Sequence, residues 1–349
     1  FVAASVALVP LIGVSVFPPA DIPQFRITVE TPDGASVGDT DRALTFVEQE
    51  LARHPEIKHY FANLGRGNPR VYYNIYPEET NANVAEVFAE LHEFDPRRSP
   101  QLYEALRGKF AAYPGARILV ESYQNGPPIN APIEVAITGP DLVQLRELAA
   151  RAEAVIEGVP GTRDVDNPQR RQRTDLDLNI DTQKAALLGI APIDVDRTVR
   201  AAVAGLGVGK FREPDGDEFD ITLRLPMQGR QTLDALGLIE VASASGQPVP
   251  LRQVSTPQFS SAASVIQRHD REREVLISAY PKAGYNTGKV NREVFNRLAE
   301  LERPPGYNLR VGGEAEARKE SFGGIGTAVL VAVFGILAVL ILEFGSFRS

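Results

Sequence analysis

Ile133-Glu134-Val135-Ala136-Ile137-Thr138-Gly139-Pro140-Asp141 is the stretch on which the fold of this chain turns. Ile133 to Thr138 reads as a strand, and Gly139-Pro140-Asp141 turns the chain out of it. Behind the turn Leu142, Leu145, Leu148, Ala152, Val155 and Ile156 recur on one helical face. Val159-Pro160-Gly161 ends that helix, and Thr162 to Asp166 is a second short strand. The same phrase stands upstream. Phe25 to Val29 alternates as a strand, Thr31-Pro32-Asp33-Gly34 turns, and Asp39 to Ala52 places Ala43, Leu44, Val47 and Leu51 at helical spacing.

The upstream copy runs on. Ile57 to Ala62 and Val71 to Tyr76 read as its second and third strands. Asn83 to Ala111 reads as helix interrupted at Pro96 and Pro100, and Arg117 to Val120 as the fourth strand. That order is β-α-β-β-α-β, the ferredoxin-like arrangement. The downstream copy stops halfway and resumes later: Val275 to Ala279 reads as a strand, Lys289 to Leu301 as a helix aligning Val290, Val294, Leu298 and Leu301, and Tyr307 to Val311 as a strand. Asn167 to Asp270 is therefore expected to be an insertion. It holds a strand from Leu176 to Ile180, helices through Lys184 and Val199, and a β-rich stretch with a hairpin signal at Asp215-Gly216.

Length and composition bound the rest. The chain has 349 residues, 37 Lys+Arg against 45 Asp+Glu, a net charge of −8, one Met and no Cys. The length accommodates more than one core. The charge gives no general basic field for nucleic acid. Zero Cys excludes disulfides, thiolate-bound zinc, iron–sulfur clusters and thiol catalysis. Phe1 to Ala20 is uncharged but broken by Pro10, Pro18 and Pro19, with no initiator Met and no basic leader region, and reads as a membrane helix cut at its front. Ser321 to Leu342 is also uncharged and about one bilayer crossing long. The expectation is an α+β fragment. Residues 1–17 form a truncated membrane helix, 18–130 a first ferredoxin-like unit, 131–166 with 271–313 a second, 167–270 a mixed α/β insertion, and 318–343 a membrane helix.

Most chemical motifs dissolve on inspection. Gly205-Leu-Gly-Val-Gly-Lys210 lacks Walker spacing, and Phe211 stands where Ser or Thr is needed; it reads as a helix-to-strand connection. Asp164, Asp166, Asp175, Asp177 and Asp181 suggest a calcium loop only until Pro168 occupies the next ligand position, and they read as a solvated face. His54, His59, His92 and His269 lie in separate elements without paired ligand spacing. Nothing resembles a nucleophile elbow. Arg170, Arg171 and Arg173 form a basic run too short for nucleic acid, read as an exposed linker or subunit contact. No catalytic residue, metal ligand set or cofactor is assigned.

Two features remain. Asn63-Leu-Gly65-Arg66-Gly67-Asn-Pro-Arg70 is a Gly-rich loop, followed by Val71-Tyr72-Tyr73-Asn74-Ile75-Tyr76, whose alternation would put Tyr73 on one face and Tyr72 and Tyr76 on the other. Core packing and a recognition cleft both fit that pattern. The second is Lys184-Ala-Ala-Leu-Leu-Gly-Ile-Ala-Pro-Ile-Asp-Val195, where one helix stops at Gly189 and another starts near Pro192.

Phe17-Pro-Pro-Ala-Asp21, the Lys184–Val195 run, Val249-Pro-Leu-Arg-Gln-Val254, Gly312-Gly-Glu314 and Leu342-Glu-Phe-Gly-Ser-Phe347 occur in an order and spacing that resembles resistance–nodulation–division efflux pumps of the AcrB type. The likeness covers the second large periplasmic loop and the seventh and eighth membrane helices that flank it. It implies that the two ferredoxin-like units are porter subdomains and that the insertion is a docking domain facing an outer-membrane channel. It further implies a homotrimer, a periplasmic adaptor, an inner-membrane location with this region in the periplasm, and proton-for-substrate exchange by central helices. The Gly-rich loop matches the family's switch loop, with Asn63, Gly65 and Gly67 as its movable part, though it is shorter and lacks the usual phenylalanines. By position Phe61 and Tyr73 fall where pocket aromatics flank that loop, Arg66 falls within it, and Ile118 and Val120 fall on the strand lining the cleft. An arginine usual at the outer lip is unmatched; Asp166 lies near there.

The resulting expectation is a porter region that binds small amphiphilic organic compounds and exports them by alternating access. A heavy-metal exporter is the rival within the superfamily, and Met227 would be its sole thioether. A membrane-anchored periplasmic enzyme or sensor is the rival from another class.

Overall fold

The computed structural model describes residues 17–77, 80–225 and 233–344. The expected first membrane helix, apart from Phe17, and Met227 lie outside the described residues. The described chain is a mixed α/β protein.

β1 (Gln24–Glu30), α1 (Val37–Leu51), β2 (Ile57–Leu64), β3 (Val84–Leu91), α2 (Arg98–Phe110) and β4 (Arg117–Ser122) build an antiparallel sheet in the order β2-β3-β1-β4. Alternation in β1 sends Phe25, Ile27 and Val29, all fully buried, under the helices. α1 starts at a reciprocal cap: the Asp39 amide donates to Ser36 Oγ (3.2 Å) and the Ser36 amide donates to Asp39 Oδ2 (2.9 Å). Its buried Ala43, Leu44, Val47 and Leu51 face the sheet, as their spacing predicts. α2 adds Tyr103, Leu106 and Phe110, with the Tyr103 ring 4.9 Å from that of Phe25.

The third strand is not where the sequence pattern puts it. Val71 to Tyr76 forms a loop, and β3 occupies the start of the stretch read as helix. Ala85, Val87, Ala89 and Leu91 are buried on one face while Glu86, Phe88 and Glu90 take the other. Ala, Glu and Leu are strong helix formers, but two ladders override that preference: β3 pairs with β1 on one side and β2 on the other.

β5 (Ile133–Gly139), α3 (Leu142–Glu157) and β6 (Thr162–Asp166) begin a second sheet. Asp141 caps α3 by accepting from the Gln144 amide at 2.9 Å. The chain then departs through a short turn at Pro168–Arg170.

Residues 174–262 form a separate compact unit. It contains most of β7 (Gln172–Ile180), then α4 (Thr182–Leu187), α5 (Pro192–Val203), β8 (Leu206–Arg212), β9 (Glu218–Leu223), α6 (Leu233–Gly237), β10 (Glu240–Ala242), β11 (Pro248–Pro250) and most of β12 (Ser255–Ala263). Its core joins Ala185, Ile190 and Val195 to Val241, Val249, Leu251 and Val254. Asp181, one of the acidic cluster, caps α4, and Pro192 occupies the first turn of α5. β8 and β9 pair across the Asp215-Gly216 turn, and the hairpin leaves Phe211, Phe219, Ile221 and Leu223 about half exposed. The unit is narrower than the expected 167–270. Gln169 donates to the Val265 carbonyl (3.2 Å) and Ser264 to that of Arg171 (3.2 Å), which keeps both flanks with the main unit.

The second sheet then resumes with β13 (Gln267–His269), β14 (Glu272–Pro281), α7 (Thr287–Ala299) and β15 (Asn308–Gly313). β14 pairs with β5 and also with β6, and β15 pairs with the other edge of β5, so one sheet is assembled from two distant pieces of chain. α3 and α7 cover it, burying Leu145, Leu148, Ile156, Val290, Val294 and Leu298 against Ile133, Val135, Ile137 and Ile277. β15 runs directly into α8 (Glu314–Phe322) and α9 (Ile325–Phe344). None of the residues of α9 is buried, and the Glu314–Phe344 stretch is long and apolar enough to cross a membrane.

Candidate functional site

The face of the first sheet turned away from its helices is where charge collects. Strand register builds two rows across it. Phe61, Phe88, Arg26 and Glu121 lie in one, and Asn63, Glu86, Thr28 and Leu119 in the next. Ile118 and Val120 have the opposite parity on β4. Val120 is fully buried among the helices and Ile118 packs against the same core, so neither side chain reaches this face. Phe61 does reach it and is 54% exposed.

Arg26 anchors the rows. Its guanidinium lies 2.8 Å from Glu121 and 3.7 Å from Glu86, with all three side chains largely buried. Burial works against the arginine's charge, but the two carboxylates outweigh it and hold the group above its ordinary value. Burial pushes the Glu86 carboxyl up, opposed by the Asn68 amide and by Arg26. Tyr280, reaching in from β14, is held far above an ordinary phenol by burial and by Glu121, and donates to the Asn130 carbonyl at 3.2 Å.

The Gly-rich loop is pinned onto this face. Asn63 Nδ2 donates to Asn68 Oδ1 (2.7 Å), and the Asn68 amide donates to Glu86 Oε2 (2.7 Å). Gly65 has φ +78°, a conformation that glycine adopts without steric cost. Gly67 is buried and Arg66 is exposed. Tyr73 lies on the following loop and is 55% exposed, with its hydroxyl accepting from the Gly126 amide at 2.7 Å. The expected facial separation of the tyrosines disappears with the strand: Tyr72 and Tyr73 contact each other at 5.0 Å, and Tyr72 stacks on Tyr123 at 4.8 Å. Asn74 ties this loop to the Gln124 and Gly126 carbonyls (2.9 and 3.0 Å).

Two cavities adjoin the first sheet, one on this open face and one beside α2. One of 300 Å³ lies between Thr28, Leu119, Ile75, Ile129 and Tyr280. Another of 470 Å³ lies between Phe17, Ile22, Phe94, Tyr103, Tyr123 and Tyr285, with Arg107 and Arg163 in its wall. The Tyr103 hydroxyl has no hydrogen-bond partner, and burial pushes it up to about 12. The far end of the groove is closed by a ring of alternating charges. Glu30 meets Arg117 (3.2 Å) and Arg171 (3.1 Å), and Asp166 meets Arg171 (2.7 Å) and Arg117 (3.8 Å). The basic run, read as an exposed linker or subunit contact, also makes ion pairs within the chain, since Arg170 holds Glu153 at 2.7 Å. Among the described residues no group of three or more His, Asp or Glu side chains is placed to hold a metal ion.

The sequence reading misses Arg26, Glu86, Glu121 and Tyr280. The signal is present in β1 and β4: once Phe25, Ile27, Val29 and Val120 are inward, Arg26, Thr28, Glu30, Leu119 and Glu121 must share the other face.

Comparison with known proteins gives consistent matches. The family model described as AcrB/AcrD/AcrF family matches residues 1–349. The cobalt-zinc-cadmium resistance protein CzcA of Cupriavidus metallidurans is 26% identical over 335 residues, covering 90% of this chain and 30% of the relative. The multidrug resistance protein MdtC of Yersinia pseudotuberculosis is 22% identical over 267 residues, covering 75% of this chain and 26% of the relative. The crystal structure of a heavy metal efflux pump superposes with a TM-score of 0.79 at 19% identity, over 98% of this chain and 36% of that one. The chain thus spans about 30% of the length of the curated relatives it matches.

Proposed function

This chain belongs to the AcrB/AcrD/AcrF family of resistance–nodulation–division transporters, and from that premise we propose that it is the porter region of a proton-driven exporter of amphiphilic organic compounds. In this reading the two sheets with their helices are ferredoxin-like porter subdomains. The 174–262 unit docks toward an outer-membrane channel, with the half-exposed face of the β8–β9 hairpin as a contact surface, and α9 spans the inner membrane with the rest of this region in the periplasm. The working assembly is a homotrimer with a periplasmic adaptor. The groove on the open face of the first sheet is the path of the substrate, with Phe61, Arg66 and Tyr73 at its margin and the Asn63–Gly67 turn as its movable edge. Ile118 and Val120 support that sheet from behind.

The observation that carries the substrate class is the pairing of the groove's acids. Glu86 and Glu121 are engaged by Arg26, and Glu30 and Asp166 by Arg117 and Arg171. Carboxylates held by guanidinium are poor ligands for a divalent cation, whereas tyrosine rings and aliphatic walls suit varied organic bodies. A second reading, export of divalent metal ions, is favoured by the names of CzcA and of the superposed pump.

One experiment separates the two. The complete transporter is expressed in a host lacking its own exporters, and extrusion of a fluorescent amphiphilic dye is measured beside survival on cobalt, zinc and cadmium salts. Dye extrusion with unchanged metal tolerance supports the proposal. Metal tolerance without dye extrusion replaces it with the second reading.

A further inference from the structure

The cavity beside α2 gathers cations that the groove on the open face does not use. It lies between α2, the end of β4, and residues 280–287, which lead from β14 into α7. Tyr280 is the one described residue that lines both this cavity and the 300 Å³ cavity of the open face. The two spaces are therefore built from different side chains.

Two guanidinium groups stand in its wall, each 15% exposed at the side chain. Arg107 donates from Nε and Nη2 to the Val120 carbonyl (3.0 and 2.7 Å) and from Nη1 to Glu104 (2.7 Å). Arg163 donates from Nε to the Pro281 carbonyl (2.9 Å) and from Nη1 to Asp164, and its guanidinium lies 5.2 Å from the centre of the Tyr280 ring. Backbone carbonyls thus fix both groups without help from a ligand. A guanidinium has five N–H donors, and no described residue accepts from Arg163 Nη2. Burial first, and then the charge of Arg163, hold Arg107 below its ordinary value. Two cations that oppose each other in one wall are both relieved by an anion brought beside them.

A third donor stands in the same wall. Tyr103 is 4% exposed, and its hydroxyl has no hydrogen-bond partner. The Arg107 charge acts on that phenol, opposing the upward push of burial. The group stays protonated at neutral pH and keeps a hydrogen to give. An unmade bond at a buried hydroxyl is costly, and an acceptor in the cavity would remove that cost.

The remaining walls suit an organic body. Phe17, Ile22, Phe94 and Tyr285 face the space, whose volume of 470 Å³ suits one drug-sized molecule. Two of these rings are seated on glycine. A Cβ on Gly126 would lie 2.4 Å from Phe17 Cδ1, and one on Gly161 would lie 2.3 Å from Tyr285 Cδ1. Lys282 adds a cation to the lining. The acids nearby do not cancel the three cations: Asp21, in the lining, is exposed to solvent, while Glu104 and Asp164 are each spent on one arginine.

We propose that this cavity is a binding site for an amphiphilic organic monoanion, whose carboxylate is taken by Arg107, Arg163 and the Tyr103 hydroxyl while its apolar body lies against Phe17, Ile22, Phe94 and Tyr285. The site goes beyond the groove described as the substrate path and requires no transport.

Photoaffinity labelling of the complete transporter in phosphatidylcholine nanodiscs tests it. Three probes carry the same diazirine-bearing tail and differ in the head: dodecanoate, dodecanol and dodecyltrimethylammonium. Labelled positions are located by peptide mass spectrometry. The carboxylate probe should label residues 94–103 and 280–287 about tenfold more than the other two, the factor that one charge-assisted hydrogen bond allows, and unlabelled dodecanoate should compete. Tyr103→Phe should lower that labelling about tenfold while its thermal unfolding stays at or above wild type, because the hydroxyl bonds nothing within the chain. Arg163→Gln should lower it by at least about tenfold, and Arg163→Lys should restore part of it. The proposal is overturned if the three heads label these peptides equally, or if Tyr103→Phe and Arg163→Gln both keep wild-type labelling. The comparison of heads on wild type, with Tyr103→Phe, decides the matter should Arg163→Gln fail to fold. Labelling at residues 72–76 reports the open-face groove and is scored apart, so either site can fail without the other.

Discussion

Arg26 and Glu121 face each other across β1 and β4, with 2.8 Å between Nη2 and Oε2 and side chains only 13% and 14% exposed. The same guanidinium approaches Glu86 at 3.7 Å, so one cation serves two acids in a largely buried place. Removing the shared cation strands both carboxylates, whereas removing one acid leaves the cation paired.

Arg26→Met should therefore destabilise the protein by about 3–5 kcal/mol, the range for breaking a buried pair from one side. Glu121→Gln should cost about 1.5–3 kcal/mol, nearer the value of a single charged hydrogen bond. Chemical denaturation of both variants checks the ranking, and equal losses would contradict the shared-cation account.

Two glycines should respond in opposite directions. Gly313→Ala places a Cβ 2.6 Å from the Ala131 carbonyl oxygen at φ +66° and should cost about 1–3 kcal/mol from backbone strain alone. Gly108, within α2, has open space where an alanine methyl would go, with no atom within 4 Å. Gly108→Ala should stabilise by about 0.5–1 kcal/mol through helix propensity. Thermal unfolding of the pair, run side by side, reads the signs directly.

Tyr73 and Phe25 separate binding from packing. Phe25 is fully buried and Tyr73 is 55% exposed. Phe25→Ala should lose about 3–5 kcal/mol, whereas Tyr73→Ala falls well below that range. If the groove margin binds amphiphiles, Tyr73→Ala weakens dye affinity at near-native stability. Unchanged affinity would remove Tyr73 from the site.

The cap of α1 should show a defined pH dependence. Hydrogen bonds from the Ser36 side chain and backbone lower the Asp39 carboxyl below its usual value. A depressed acid contributes stability above its unfolded value and loses it as pH falls through the native one. Ser36→Ala should cost about 1 kcal/mol at neutral pH, a typical loss for an N-cap. That difference should shrink in acid, below the native value of Asp39. Denaturation curves of wild type and variant across the acid range test this, and a constant difference would count against it.

The charge ring offers a salt test. Glu30, Arg117, Asp166 and Arg171 are 20–36% exposed, so their attraction is partly screened by solvent. A double-mutant cycle on Glu30→Gln and Arg171→Met should give a coupling of about 0.5–3 kcal/mol that diminishes as ionic strength rises. A coupling of zero would show that the ring does not hold the two sheets.

Much of this fold is legible because its strands alternate and its helices repeat. Phe25, Ile27 and Val29, or Leu145, Leu148 and Ile156, state their periods without help from the rest of the chain. β3 escapes a local reading because Val84 to Leu91 is made of residues that suit a helix, and only its two neighbouring strands decide otherwise. The tyrosines from Tyr72 to Tyr76 mislead for the converse reason: aromatic residues favour strands, but no partner strand pairs with them among the described residues, and Asn74 anchors the segment as a loop. Phe61 and Asn63 fall on the open face of the sheet. Ile118 and Val120 fall on the helix-covered one, because a shift of one residue along a strand exchanges its faces. The Arg26–Glu121–Glu86 cluster requires strand register, which no local pattern encodes.

The division of the second sheet has a consequence for synthesis. β5 finds strand partners only in β14 and β15 among the described residues, so after Gly139 has been made the ribosome must still deliver every residue up to Glu272 before β5 can pair. At about 5–20 residues per second that wait lasts roughly seven to twenty-seven seconds. Throughout it, Ile133, Val135 and Ile137 have no ladder, and α3 has only half a surface to cover. Meanwhile the 174–262 unit emerges with its own core and can finish first. The nascent chain therefore folds its middle before its frame, and the open edge of β5 is where a holding chaperone, or a wrongly paired neighbour, would find it.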